Sequence, residues 1–144
     1  MLTPQDRNHL LSILRPPVGY ELDCAIGTTF SLDLYTLLTL PLAFTLFDFE
    51  DEKGLPNSDP LALLEAVRRH ADNIHIFCQD GRLLLPKSKS SRLLCYLENS
   101  IIEVEPKNKT GVFHPKFWAI RYKSDDMPTI YRIIYLSRNL TYDR

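Results

Sequence analysis

The sequence predicts an α/β domain in which a mixed β-sheet is flanked by helices. Three observations carry this reading. Short stretches alternate apolar and polar residues at the period of a strand, stretches with helical spacing and capping residues lie between them, and proline and glycine punctuate the junctions. At 144 residues the chain reads as one domain, with 44% hydrophobic and 24% charged residues, an ordinary globular composition.

Residues 1–15 have the spacing of a short amphipathic helix, with Leu10, Leu11 and Leu14 on one side. Pro16-Pro17 ends it, since proline cannot donate a hydrogen bond and restricts its predecessor. Residues 20–26 alternate as a strand, with Leu22, Cys24 and Ile26 on one face and Glu21, Asp23 and Ala25 on the other. Gly27-Thr28-Thr29-Phe30 is expected to turn tightly. Ser31 is a candidate helix cap and Asp33 favours the first turn of a helix ending near Leu40. A strand is expected over 43–49, and the acidic 50–58 stretch, with Gly54 and Pro56, as a loop.

Asp59-Pro60 opens a helix to about Ala71, a capping residue followed by proline at the first helical position. Leu61, Leu64 and Val67 give it one buried face. Residues 74–78 read as a buried strand, and Gln79-Asp80-Gly81-Arg82 as a turn into 83–85. A polar loop at 87–91 leads to a short helix over 92–99 and a strand over 101–105. Residues 113–122 and 129–136 form two further strands joined by the polar loop 123–128. Residues 117–122 are apolar on both faces, as a central strand of a largely buried sheet would be. Trp118, Tyr122, Tyr131 and Tyr135 are assigned to the core, because they fall inside strands rather than on an exposed rim. No internal repeat or low-complexity tract interrupts the pattern.

No apolar run reaches the ~18–20 residues of a membrane span, and the N-terminus lacks the basic start of a secretory signal. Cys24, Cys78 and Cys95 are odd in number, far apart and set in apolar stretches. They read as buried reduced thiols, which points to a cytoplasmic protein. His9, His70 and His75 have no lysine two residues on and read as structural or exposed.

The net charge of −1 argues against a polyanion ligand, but its distribution does not. From Lys107 to Arg144 eight basic residues face three acids, which leaves +5 there and −6 over the preceding residues. That asymmetry suits an anionic ligand near the C-terminal quarter as well as a solvated basic surface. Within this quarter lies His114-Pro115-Lys116. Side chains two apart on a strand share a face and sit about 6–7 Å apart along the backbone. The returning strand would deliver Ser137, Arg138 and Asn139 to the same end, giving hydroxyl, guanidinium and amide donors around an anion. An H-x-K alone is a weak signal; the second element at the right distance is what gives it weight.

The two stretches Gly-Val-Phe-His114-Pro-Lys116-Phe-Trp-Ala-Ile and Tyr-Leu-Ser137-Arg-Asn139-Leu-Thr resemble the H-x-K…G-S-x-N-L-T signature of the phospholipase D superfamily, in particular its nuclease-like and phospholipase D-like bacterial branches. Residues 25–31 followed by a helix resemble the first strand and turn of the same domains. Arg121 stands where that family often has aspartate, and Leu136 where it has the glycine before serine. The resemblance implies a phospholipase D-like half-domain over 1–144, expected as the N-terminal part of a longer protein. It also implies a metal-independent phosphodiesterase that needs no cofactor. His114 would attack phosphorus to give a phosphohistidine, or act as the acid, while Lys116 and Asn139 clamp the oxygens and Ser137 and Arg138 add donors. Thr28 and Thr29 sit at a strand-to-helix turn, where open α/β sheets often bind ligands; a structural turn explains them better than a binding role, so they are the weakest candidates for ligand contact.

One H-x-K supplies half of such a site, so a second is expected from a homodimer mate or a C-terminal second half. The expected substrate is a phosphodiester, nucleic acid before lipid. The alternatives are a catalytically silent phospholipase D-like module that binds nucleic acid in a larger assembly, and an α/β domain whose hairpin merely resembles the motif.

Overall fold

The computed structural model describes residues 10–45, 60–85, 92–108 and 110–141. It is a mixed α/β fold with a five-stranded mixed sheet. In chain order the elements are α1 (Leu10–Leu14), β1 (Glu21–Thr29), β2 (Leu32–Asp33), α2 (Leu34–Thr45), α3 (Pro60–His70) and β3 (Ile74–Gln79). There follow β4 (Leu83–Leu84), a 3₁₀ helix (Arg92–Ser100), β5 (Ile101–Val104), β6 (Phe117–Lys123) and β7 (Ile130–Tyr135). The sheet order is β5-β3-β1-β6-β7; β1, β3 and β5 run parallel, and β6 and β7 return antiparallel. β2 and β4 pair separately.

The described helices contact one another and pack on one face of the sheet. That face carries the core: Ala25, Ile74, Ile76, Cys78, Trp118, Ile120, Tyr122 and Ile134, against Leu37, Leu40, Val67 and Leu97. Gly27 sits at its centre. A Cβ there would come within 2.8 Å of Ile76 and 2.9 Å of Trp118, so only glycine lets the indole pack flat on the strand. Glycine 27 and the two threonines therefore continue β1 instead of turning, and the bend falls at Phe30-Ser31.

The expected alternation along β1 also shifts. Leu22 pairs with Tyr122 but Cys24 pairs with Arg121, which makes Asp23 the extra residue of a β-bulge. Beyond it the faces exchange, so Ala25 enters the core and Ile26 faces outward. α2 begins only at Leu34, where Asp33 Oδ1 accepts the Tyr35 N–H at 2.8 Å. The cap is thus Asp33, not Ser31. The helix runs through Pro41 to Thr45, so residues 43–45 belong to it and not to a strand; 46–49 lie outside the described residues. The expected loops 50–58 and 87–91 also lie outside them. In α3 Leu61 is exposed, and Ala66, Val67 and His70 are buried.

The opposite face of the sheet carries no described element. On it Tyr131, Ile133 and Tyr135 of the edge strand are 71%, 56% and 84% exposed, beside Arg121, Ala119 and Phe117. This corrects the assignment of Tyr131 and Tyr135 to the core, which holds for Trp118 and Tyr122 alone. The sheet is accordingly buried on one face rather than on both. Cys78 is buried, and burial pushes its thiol up to about 11, whereas Cys24 is half-buried and Cys95 exposed. All three are free thiols. Among the described residues no helix is long and apolar enough to cross a membrane.

Candidate functional site

His114 and Lys116 lie just before β6, in the extended segment 111–116, rather than within the strand itself. They nevertheless meet. The Lys116 ammonium is 2.9 Å from Nε2 and 3.0 Å from Nδ1 of the His114 ring. Being nearly equidistant from the two, it lies against the imidazole as a whole rather than along one lone pair. His114 is exposed and Lys116 half-buried, so both are open to a ligand. Among the described residues no carboxylate pairs with Lys116. An ammonium with no countercharge beside an imidazole is an arrangement suited to an oxyanion.

The C-terminal end of β1 organises everything around this pair. Thr28 Oγ1 accepts the Phe117 N–H at 3.0 Å and faces the Phe117 carbonyl at 3.3 Å, which fixes the residue after Lys116. Thr29 Oγ1 accepts the Leu140 N–H at 3.0 Å and donates to the Ser31 carbonyl at 2.8 Å. The Phe30 ring lies 5.1 Å from the His114 ring, tilted by 46°. Three successive residues thus hold the H-x-K strand, the asparagine segment and the imidazole. Thr28 and Thr29 are buried and their hydroxyls are engaged with backbone groups, so they act by positioning.

The asparagine segment arrives by a second set of bonds. β7 pairs with β6 up to Phe117 opposite Tyr135, and the Leu136 N–H donates to the Lys116 carbonyl at 2.9 Å. Leu140 bridges to Leu32, and its carbonyl accepts the Asp33 N–H at 2.9 Å. Asn139, held between these anchors, is half-buried, and its Oδ1 is shielded from solvent without a hydrogen-bond partner. Ser137 and Arg138 are exposed at the same end. A shielded amide oxygen with no partner costs about 1–3 kcal/mol, which is tolerable where a ligand or water completes it.

Phe30, Gln79 and Arg82 belong to the surroundings of the site and were not singled out by the motif. Gln79 Oε1 accepts the Phe113 N–H at 2.7 Å and ties the H-x-K segment to β3. The Arg82 guanidinium lies 5.1 Å from the centre of the Phe30 ring. The signal that points to them is positional, since residues 28–31 and 79–82 both follow the C-terminal ends of parallel strands.

Arg121, at the position of the resemblance's aspartate, lies elsewhere. It forms an ion pair with Asp23, the bulged residue of β1. No group of three or more His, Cys, Asp or Glu suited to a metal ion occurs among the described residues. No protein-family model, curated protein or solved structure matches the chain.

Proposed function

We propose that this chain carries half of a metal-independent phosphodiesterase site of the phospholipase D type, acting on nucleic acid. The observation that carries the reading is the contact of the Lys116 ammonium with the His114 imidazole at the sheet end where Asn139 is anchored. A phosphodiester bound there has its negative oxygens against Lys116 and the Asn139 amide. A ring nitrogen of His114 attacks phosphorus and forms the N–P bond as the P–O bond to the leaving group breaks. The leaving oxygen takes a proton from an acid, the histidine of a second H-x-K in a partner copy or a further segment. Water then attacks the phosphohistidine, giving its proton to that second histidine, now neutral; the N–P bond breaks, and both histidines are regenerated. The positive charge of Lys116 serves the anionic transition state throughout.

The test is cleavage of bis(p-nitrophenyl) phosphate and of a single-stranded oligonucleotide in excess chelator. Activity that survives chelation and is lost in His114→Ala, with a phosphohistidine trapped on the wild type, supports the reading. Chelator-sensitive activity, or full activity in His114→Ala, overturns it.

A second reading, a silent module that binds a phosphodiester without cleaving it, is favoured by the presence of a single H-x-K and by Arg121 being committed to Asp23. It predicts binding that depends on Lys116 and not on His114, and no turnover in any assembly.

A further inference from the structure

We infer that Arg82 is a second phosphate-binding group of this site, holding the phosphate next to the one bound at Lys116. The substrate on this view is a strand with successive phosphates rather than a molecule with a single phosphodiester. The inference rests on the phosphodiester reading of His114 and Lys116.

Position is the first argument. Arg82 and His114 both lie 5.1 Å from the ring of Phe30, so guanidinium and imidazole are no more than about 10 Å apart. Neighbouring phosphates of one nucleic-acid strand cover such a span. The second argument is rigidity. The Arg82 N–H donates to the Gln79 carbonyl at 3.1 Å and its carbonyl accepts the Leu32 N–H at 3.2 Å. The Gln79 N–H donates to the Phe30 carbonyl at 3.3 Å, while its side chain holds Phe113. Gly81 takes the left-handed conformation (φ +68°) that closes the turn. The backbones carrying Arg82, Phe30 and His114 are therefore fixed to one another by hydrogen bonds, not merely adjacent.

Chemistry is the third. A guanidinium held over an aromatic face by cation–π attraction keeps its N–H donors free for the planar fork that phosphate accepts. The other cations of the sheet are occupied: Arg121 by Asp23, Lys123 by Glu21 at 3.3 Å, and Arg132 by carbonyls of α1 and its end. Arg82 is exposed and has no carboxylate partner among the described residues. Lys116 likewise has no carboxylate partner among the described residues.

The experiment compares two substrates. In Arg82→Ala, kcat/KM for a short single-stranded oligonucleotide should fall about 10-fold or more, mainly through KM, with no change for bis(p-nitrophenyl) phosphate. Arg82→Lys should recover part of the loss. Binding of a fluorescent oligonucleotide, measured by anisotropy in the His114→Ala background against salt, should lose about one unit of the log–log slope when Arg82 is also replaced. Equal losses for both substrates, no loss for either, or an unchanged salt slope overturn the inference. The binding arm keeps the two claims distinct: a lost slope unit with no cleavage by any variant retains Arg82 as a phosphate group and removes the phosphodiesterase. Circular dichroism of each variant excludes unfolding as the cause.

Discussion

The two ends of β6 are built from similar residues and treat them in opposite ways. At the far end Arg121 pairs with Asp23 and Lys123 with Glu21, and the Tyr122 hydroxyl donates to the Leu14 carbonyl at 2.7 Å. Arg132 donates to the carbonyls of Ile13 and Arg15 and lies over the Tyr122 ring, closing the C-terminal end of α1. Every one of those polar groups has an internal partner. At the near end, among the described residues, Lys116 meets an imidazole and Arg82 a phenyl ring, neither has a carboxylate partner, and Asn139 Oδ1 has no hydrogen-bond partner. Satisfied cations hold a fold together; cations left without counterions at one sheet end are a place for an anion. The positive balance of the C-terminal quarter is therefore a poor measure of ligand affinity, because much of it is used internally.

The sharpest way to break the comparison is at the near end. Replacing His114 by alanine should lower kcat/KM for a phosphodiester by about 10³-fold or more, the scale of losing a nucleophile or acid. The melting temperature should stay within error, since the ring is exposed and its hydrogen-bond and ring contacts among the described residues are with Phe30 and Lys116 alone, both only half-buried. A large drop in stability would make His114 a structural residue like those at the far end.

The buried exception is His70. It is 5% exposed, both ring nitrogens lack partners, and it faces Phe44. Burial first, and then the neighbouring Arg69 charge, push its pKa down to about 4 from 6.5, against a smaller opposing pull from Glu21. An unpartnered polar group inside the core is thus a liability rather than a site. The unfolded chain takes up the proton first as pH falls, so stability is full above pH 6.5 and declines toward pH 4. The contribution lost is about 3 kcal/mol over that window. Urea unfolding of wild type and His70→Met at pH 7, 5.5 and 4.5 checks it. The wild type should lose that much more than the variant, and parallel curves would contradict the assignment.

How far the sequence exposed this division depends on what each feature is made of. The strands at 74–79, 101–104, 117–123 and 130–135 were legible because each is a short apolar or alternating run bounded by polar or turn residues. His114 and Lys116 were legible because extended backbone puts residues two apart on one side, whether or not it is paired in a sheet. The bulge at Asp23 was not, since it exists only in the register against β6, and one extra residue exchanges the faces beyond it. Tyr131 and Tyr135 were misread for a related reason: alternation separates two faces but does not tell whether both are covered. The apolar 43–45 segment fits helix and strand alike at that length. Phe30, Gln79 and Arg82 join the site only through contacts across the fold, and residue type alone does not mark them.

At the far end the expected effects are on stability alone. Arg132→Met keeps most of the apolar stem but leaves the Ile13 and Arg15 carbonyls without their donor. Charged hydrogen bonds of this kind are worth about 1.5–3 kcal/mol, so chemical denaturation should show a loss of about 2 kcal/mol with unchanged kcat. A variant as stable as wild type would mean water replaces the guanidinium at no cost, and the far end would then be no better satisfied than the near one.

The smallest effect belongs to Arg121, and it is the one that separates resemblance from structure. If the position were part of the site, as its alignment with a motif aspartate suggests, Arg121→Gln would alter cleavage or binding. Its guanidinium is instead turned to Asp23 on an exposed face, and an ion pair between solvated side chains contributes little. Arg121→Gln should therefore leave kcat, KM and the melting temperature within error of wild type. A change in kcat or KM with an unchanged melting temperature would bring Arg121 into the site, and the boundary between the two ends of β6 would have to be moved.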